Sequence, residues 1–216
     1  VDGLETQEEI FDGNIKISRV KVLNENGEKA IEKRKGTYIT IDIKNLKIAG
    51  EEQIQKASEA VTKELKNLIG NLVGPQEDIL VVGLGNLYVT PDALGPKVVN
   101  EIDITRHLLN YMPDVLDKDT RPVSAIAPGV LGTTGIETLE VIKGIVENIH
   151  PKLIIVIDAL ASRSIERISS TVQLADTGIV PGAGVGNERK ELTKESLGVP
   201  VIAIGIPTVV EAATIA

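Results

Sequence analysis

The chain has 216 residues, 42% of them hydrophobic, no cysteine, two histidines and a net charge of −8. That length and apolar content suffice for one large α/β core, and the lack of cysteine excludes disulfides, thiol nucleophiles and thiolate metal sites and points to a reducing compartment. The acidic balance and an aromatic content of 2% argue against nucleic acid as a direct partner, and no apolar run approaches the roughly 18 residues of a membrane span.

Residues 1–13 are acidic and read as irregular. Residues 14–23 alternate apolar and polar side chains (Ile15, Ile17, Val20, Val22), which predicts a strand with one exposed face. Residues 24–27 read as a turn and 29–35 as a charged, solvated stretch. Residues 37–43 (TYITIDI) predict a second alternating strand, so the two form an antiparallel pair at an edge. Residues 51–68 carry the helical period at Ile54, Ala57, Ala60, Val61, Leu65 and Leu68, with Gly70 as C-cap. Residues 79–82 (ILVV) form a buried strand, broken by Gly83-Leu84-Gly85-Asn86. Thr90-Pro91-Asp92 then reads as a helix start, with Thr90 as N-cap and Pro91 at the first helical position.

Residues 103–121 are polar and mixed. Residues 122–127 (PVSAIA) predict a short strand, and Thr133-Thr134-Gly135 opens an amphipathic helix over 137–149. Residues 153–157 (LIIVI) are the strongest strand of the chain and run into Asp158. Residues 162–170 read as a helix or an ordered loop, 171–174 as a strand, 181–187 (PGAGVGN) as a glycine-rich loop and 201–204 (VIAI) as a last buried strand before Gly205 and Pro207. The closing VVEAATIA reads as an opening helix, and both termini read as cut. Apolar strands alternating with amphipathic helices predict a three-layer α/β fold: a mostly parallel central sheet, helices on both faces, and the N-terminal antiparallel strand pair added.

Two acids stand where buried strands end, the place where ligands sit in open α/β sheets. Asp92 follows the 79–82 strand and Asp158 the 153–157 strand, about two βα units further on, so their strands are neighbours or near neighbours. Two carboxyls in one crevice can divide acid and base roles. From pattern alone Asp92 also reads as a helix-dipole acid in the first turn, and Asp158 as a turn or cap acid after a strand. Gly83, Gly85 and Asn86, and the glycines of 182–186, look like phosphate cradles but lack a full G-x-G-x-x-G and a Walker lysine. The Thr133-Thr134-Gly135 amides are candidate donors to an oxyanion, or plain N-caps. Arg163 and Arg167 are candidate partners for substrate carboxylates, or a solvated face. His107 and His150 adjoin no other candidate ligand, and Ser162 and Ser164 lie in no G-x-S-x-G elbow.

Four segments together resemble a known family: VVGLGNLYVTPDALGPKVV (81–99), APGVLGTTGIET (127–138), VIDALASRSIERISSTVQLADTGIVPGAGVGNERKELT (156–193) and VPVIAIGIPTVVEAATIA (199–216). They are similar to the germination protease of spore-forming bacteria, an atypical aspartic peptidase. The resemblance implies that Asp92 and Asp158 are its two essential aspartates, and that the substrate is the small acid-soluble spore proteins. It also implies a homotetramer in the cytoplasm of the spore core, made as a zymogen, with 1–216 as one peptidase domain lacking a propeptide and a C-terminal segment. The implied fold is that of hydrogenase maturation peptidases, whose GxGN segment is similar to 83–95. Those enzymes sense nickel with a histidine that has no match here, so no metal or cofactor is expected. The alternatives are a nickel-dependent maturation-type peptidase and a non-catalytic nucleotide-binding module.

Overall fold

Short apolar runs and longer alternating ones build eight strands in the computed structural model, which describes residues 2–182 and 189–210. They are β1 (Leu4–Asp12), β2 (Ile15–Val22), β3 (Gly36–Ile43), β4 (Ile79–Gly83), β5 (Val123–Ile126), β6 (Leu153–Ser162), β7 (Thr171–Ala175) and β8 (Val201–Val210). All eight join one sheet in the order β1-β2-β3-β7-β8-β6-β4-β5. The helices are α1 (Glu25–Ile31), α2 (Glu51–Gly70), α3 (Leu94–Glu101), α4 (Arg106–Tyr111), α5 (Leu131–Thr134), α6 (Thr138–Ile149) and α7 (Lys194–Leu197).

The block β8-β6-β4-β5 is parallel, with Val82 opposite both Val156 of β6 and Ile126 of β5. Side chains alternate across a strand, so β4 serves two cores. Ile79 and Val81 pack in the layer that holds Ala57, Ala60 and Leu68 of α2 and receives Leu94 and Val98 of α3. Leu80 and Val82 pack with Ile142 of α6 and Leu197 of α7. Helices therefore cover both faces of the parallel block, as the patterning predicts. No helix among the described residues is long and apolar enough to cross a membrane.

The antiparallel addition is larger than the expected pair. β1, β2, β3 and β7 form successive antiparallel partners, and β7 joins β8. Residues 4–12, read as irregular, are the edge strand β1. Its LETQEEIFD sequence is mostly exposed and carries the acids Glu5, Glu8, Glu9 and Asp12, which hides the period-two signal and suits a sheet edge. The supposed turn at 24–27 is the start of α1: the Asn24 side chain accepts from the Asn26 and Gly27 N–H groups at 3.0 and 3.1 Å. Part of the polar stretch 103–121 is helical, as α4. Gly70 is the last residue of α2 rather than its cap, which is Asn71. β8 runs through Gly205 and Pro207 to Val210, so Val209 and Val210 are strand, not helix. The rest of the expected closing helix lies outside the described residues.

One buried charge ties the antiparallel addition to the helical layer. Glu64 of α2 is 1% exposed. Its two oxygens accept from Arg19 Nε and Nη2 on β2 at 2.8 and 2.6 Å. Arg19 also donates to Glu9 of β1 at 2.7 Å, and Lys63 donates to the other Glu9 oxygen at 2.8 Å.

Candidate active site

The site is made where one strand stops and its neighbour continues. β4 pairs with β6 as far as Gly83 opposite Ile157, and the Leu84 N–H donates to the Ile157 carbonyl at 2.8 Å as the last rung. α3 sits against this end at backbone contact: a Cβ on Gly83 would strike the Gly95 carbonyl, and one on Gly95 would strike the Leu84 backbone. That closeness leaves room for a tight loop over residues 84–92.

Gly85 turns the loop with φ of +113°, a conformation that L side chains rarely adopt. The Asn86 N–H then donates to Asp92 Oδ2 at 2.8 Å and to the Asp92 carbonyl at 3.1 Å. The Asn86 side-chain oxygen accepts from the Tyr88 N–H at 3.0 Å. Asp92 closes a 3-10 turn, Thr90–Asp92, preceded by Val89. Thr90 makes no side-chain cap there, and α3 begins only at Leu94. The turn is tied to the sheet by the Thr208 hydroxyl, which donates to the Pro91 carbonyl at 2.7 Å. A methyl group at Gly85 would strike the Asp92 carbonyl as well as strain the backbone. Gly85→Ala is therefore expected to destabilise the fold by about 1–3 kcal/mol, read as a lowered midpoint in denaturant unfolding; an unchanged midpoint would refute this account of the loop.

Asp158 is not at a strand end as the sequence suggests. It lies inside β6, because β8 goes on pairing with β6 as far as Ser162 opposite Val210. Only β4 stops there. Asp92 and Asp158 both line one cleft of about 460 Å³, together with Gly85, Asn86 and residues 129–132 after β5. Asp158 is 7% exposed. Burial pushes its carboxyl up to about 7; the Ala159 N–H, 2.9 Å from Oδ1, pulls the other way, and the Asp92 charge adds to the rise. Burial also raises the half-buried Asp92, opposed by the Asn86 N–H. Two carboxyls of unequal burial in one cleft are equipped for one to hold a proton while the other is ionised.

The other sequence candidates divide. Gly85 and Asn86 line the cleft, and Gly83 is buried beneath it. Thr133, Thr134 and Gly135 do not line it and do not open a helix: they end the one-turn α5, with Gly135 as its left-handed cap. Their N–H groups donate back to the carbonyls of Val130, Val130 and Leu131 at 2.9, 3.1 and 2.8 Å, which removes them as oxyanion donors. Arg163 is exposed and away from the cleft lining. His107 lies on α4 and His150 caps α6, neither of them in the lining. Of the 181–187 glycine loop, Pro181 and Gly182 reach the cleft, and 183–187 lie outside the described residues. Sequence reasoning missed Glu137 and Arg189, which also line it. Glu137 follows β5, the parallel neighbour of β4, at the same carboxyl end of the sheet, and that signal was available.

A model of the family described as germination protease matches residues 1–216. The chain belongs to the germination protease family. The germination proteases of Clostridium perfringens (strain SM101 / Type A) and Caldanaerobacter subterraneus subsp. tengcongensis are 54% and 55% identical to it, over all of this chain and 66% of each relative. That of Priestia megaterium is 52% identical over 93% of this chain and 54% of its own length. The chain thus spans 66% or less of the length of these curated relatives. Among solved structures, a [NiFe] hydrogenase maturation protease HycI from Thermococcus kodakarensis KOD1 matches at 18% identity and a TM-score of 0.37, over 67% of this chain and 86% of that one. In this family member, each of the four segments that carry the sequence resemblance contributes residues to the cleft, among them Asp92, Gly129, Asp158 and Thr208.

Proposed function

We propose that this member of the germination protease family is an endopeptidase that cleaves small acid-soluble spore proteins with two aspartates and no metal. The observation that carries the reading is the placement of Asp92 and Asp158 in one cleft with unequal burial. Family membership supports the peptidase role and its place in spore germination. On this reading the ionised Asp92 takes a proton from a water as the water oxygen bonds to the scissile carbonyl carbon. The protonated Asp158 then gives its proton to the amide nitrogen as the C–N bond breaks, releasing an acid and an amine. The Asn86 N–H holds Asp92 in place as the ionised partner. The same reading includes a homotetramer in the spore core, matured from a zymogen.

Incubation of purified small acid-soluble spore protein with the enzyme, with and without chelator, tests the proposal. Cleavage that persists in chelator supports it. Loss of cleavage in chelator, restored by a divalent metal, would replace it with a metal-dependent site.

The pH profile follows from the same assignment. Asp158 donates a proton, so kcat/KM is expected to fall about tenfold per pH unit above about 7, where the carboxyl empties. On the acid side it falls as Asp92 becomes protonated. A rate that rises steadily through pH 8 would exclude Asp158 as the acid.

A further inference from the structure

The cleft is also a gap in the sheet. Within β6 the backbone groups alternate between its two neighbours. The Ile154 N–H donates toward β8, to the Pro200 carbonyl at 3.0 Å, whereas the Ile157 carbonyl accepts from Leu84 on the β4 side at 2.8 Å. Even-numbered residues of β6 thus face β8, and odd-numbered residues face β4. β8 keeps its pairing from Asp158 to Ser162, taking up one register shift on its own side between Pro207 and Val209. β4 pairs no further than Gly83 opposite Ile157.

The backbone edges of Ala159 and Ala161 therefore point into the space that β4 leaves, and both residues line the cleft. The Ala159 N–H is held by Asp158 Oδ1 at 2.9 Å. The Ala159 carbonyl and the Ala161 N–H and carbonyl lie outside the β6–β8 ladder on this alternation. Their methyl side chains leave the edge open to a neighbour. Residues 129–132, which follow β5, line the same cleft. β4 pairs with β5 on one side and β6 on the other, so a strand continuing the line of β4 beyond Gly83 would lie about 4.8 Å from β6.

We infer that the substrate enters this gap as an extended strand, adding to the edge of β6 at Ala159 and Ala161, which no strand among the described residues pairs on the β4 side, in the place β4 vacates. The inference rests on the peptidase reading and specifies how that site takes a polypeptide. A chain bound this way is held through main-chain hydrogen bonds at every second residue. Its scissile bond lies beside Asp158, at the point where that edge begins. The segment recognised is short, extended and without a proline at the bonding positions.

The test uses a short synthetic peptide centred on the bond that the enzyme cleaves in a small acid-soluble spore protein, together with a series N-methylated at one amide each, the scissile amide excepted. Each methyl removes one donor. Cleavage is expected to fall about tenfold for methylation at residues two apart, and less than about threefold at the residue between them. Uniform loss along the peptide, or no loss, would overturn the inference while leaving the peptidase reading intact. So would a parent peptide that resists cleavage while the whole protein is cut, because edge addition needs only the local segment. Failure of the enzyme to cut the protein itself would overturn the peptidase reading, and this inference with it.

Discussion

Asp158→Asn is expected to abolish cleavage and at the same time to stabilise the protein. The loss follows from the acid role: an amide side chain has no proton of suitable acidity to give, and such transfers are worth about 10²–10⁴-fold in rate. The gain follows from burial. Asp158 is 7% exposed, and its carboxyl rises from 3.8 to about 7 in the fold. Ionising it there costs on the order of 4 kcal/mol relative to the unfolded chain, as an upper bound. Between about pH 4 and pH 7 the folded protein keeps a proton that the unfolded chain has lost. Wild-type stability therefore falls as pH rises through that window and is level above it. Asparagine is nearly isosteric, keeps an acceptor for the Ala159 N–H and has no such slope. Denaturant unfolding of both proteins at several pH values is the measurement. The variant should gain on the wild type as pH rises, by about 2–4 kcal/mol near pH 8. Parallel stability curves would mean that the carboxyl is not held in a desolvated place. Asp92→Asn, at a half-buried residue, should lose cleavage with a smaller stability gain.

The second large effect is expected far from the cleft, at Glu64. Removing its carboxylate with Glu64→Ala leaves the Arg19 guanidinium, whose side chain is 18% exposed, without its two-point partner. Breaking such a pair on one side costs about 3–5 kcal/mol, because the remaining charge is left desolvated. For a chain of this size that lowers the melting temperature by roughly 10 °C. The companion variant, Arg19→Met with Glu64→Leu, removes both charges and should recover most of the loss. A single substitution costing under about 1 kcal/mol would show that Glu9 and water take over the role of Glu64. Because α2 and β2 lie away from the cleft lining, kcat should be unchanged in the folded fraction.

Much of this protein can be read from its sequence, and the parts that cannot have physical causes. The apolar runs at 79–82 and 153–157 are strands because nothing but burial on both faces accounts for them. The helical period of 51–68 marks α2 for the same reason. The strands that carry the approaches to Asp92 and Asp158 read as neighbours or near neighbours, and β4 and β6 pair directly; the strand end expected at Asp158 is not there, because β6 runs on to Ser162. β1 escaped because an edge strand facing water needs no alternation, and α1 because its N-cap asparagine and glycine look like a turn until a helix is seen to follow.

What the sequence by itself determined is the class of fold, the two-faced sheet and the family, since these depend on local patterning and on stretches of residues in order. Only the tertiary structure decided that Asp158 sits within a strand, that Thr133-Thr134-Gly135 closes a turn, and that Glu137 and Arg189 join the aspartates in one cleft. Those facts depend on where a partner strand ends and on which loops meet across the sheet. Hydrophobic period is a property of a segment and its own two faces, and it carries no record of where the neighbouring strand stops.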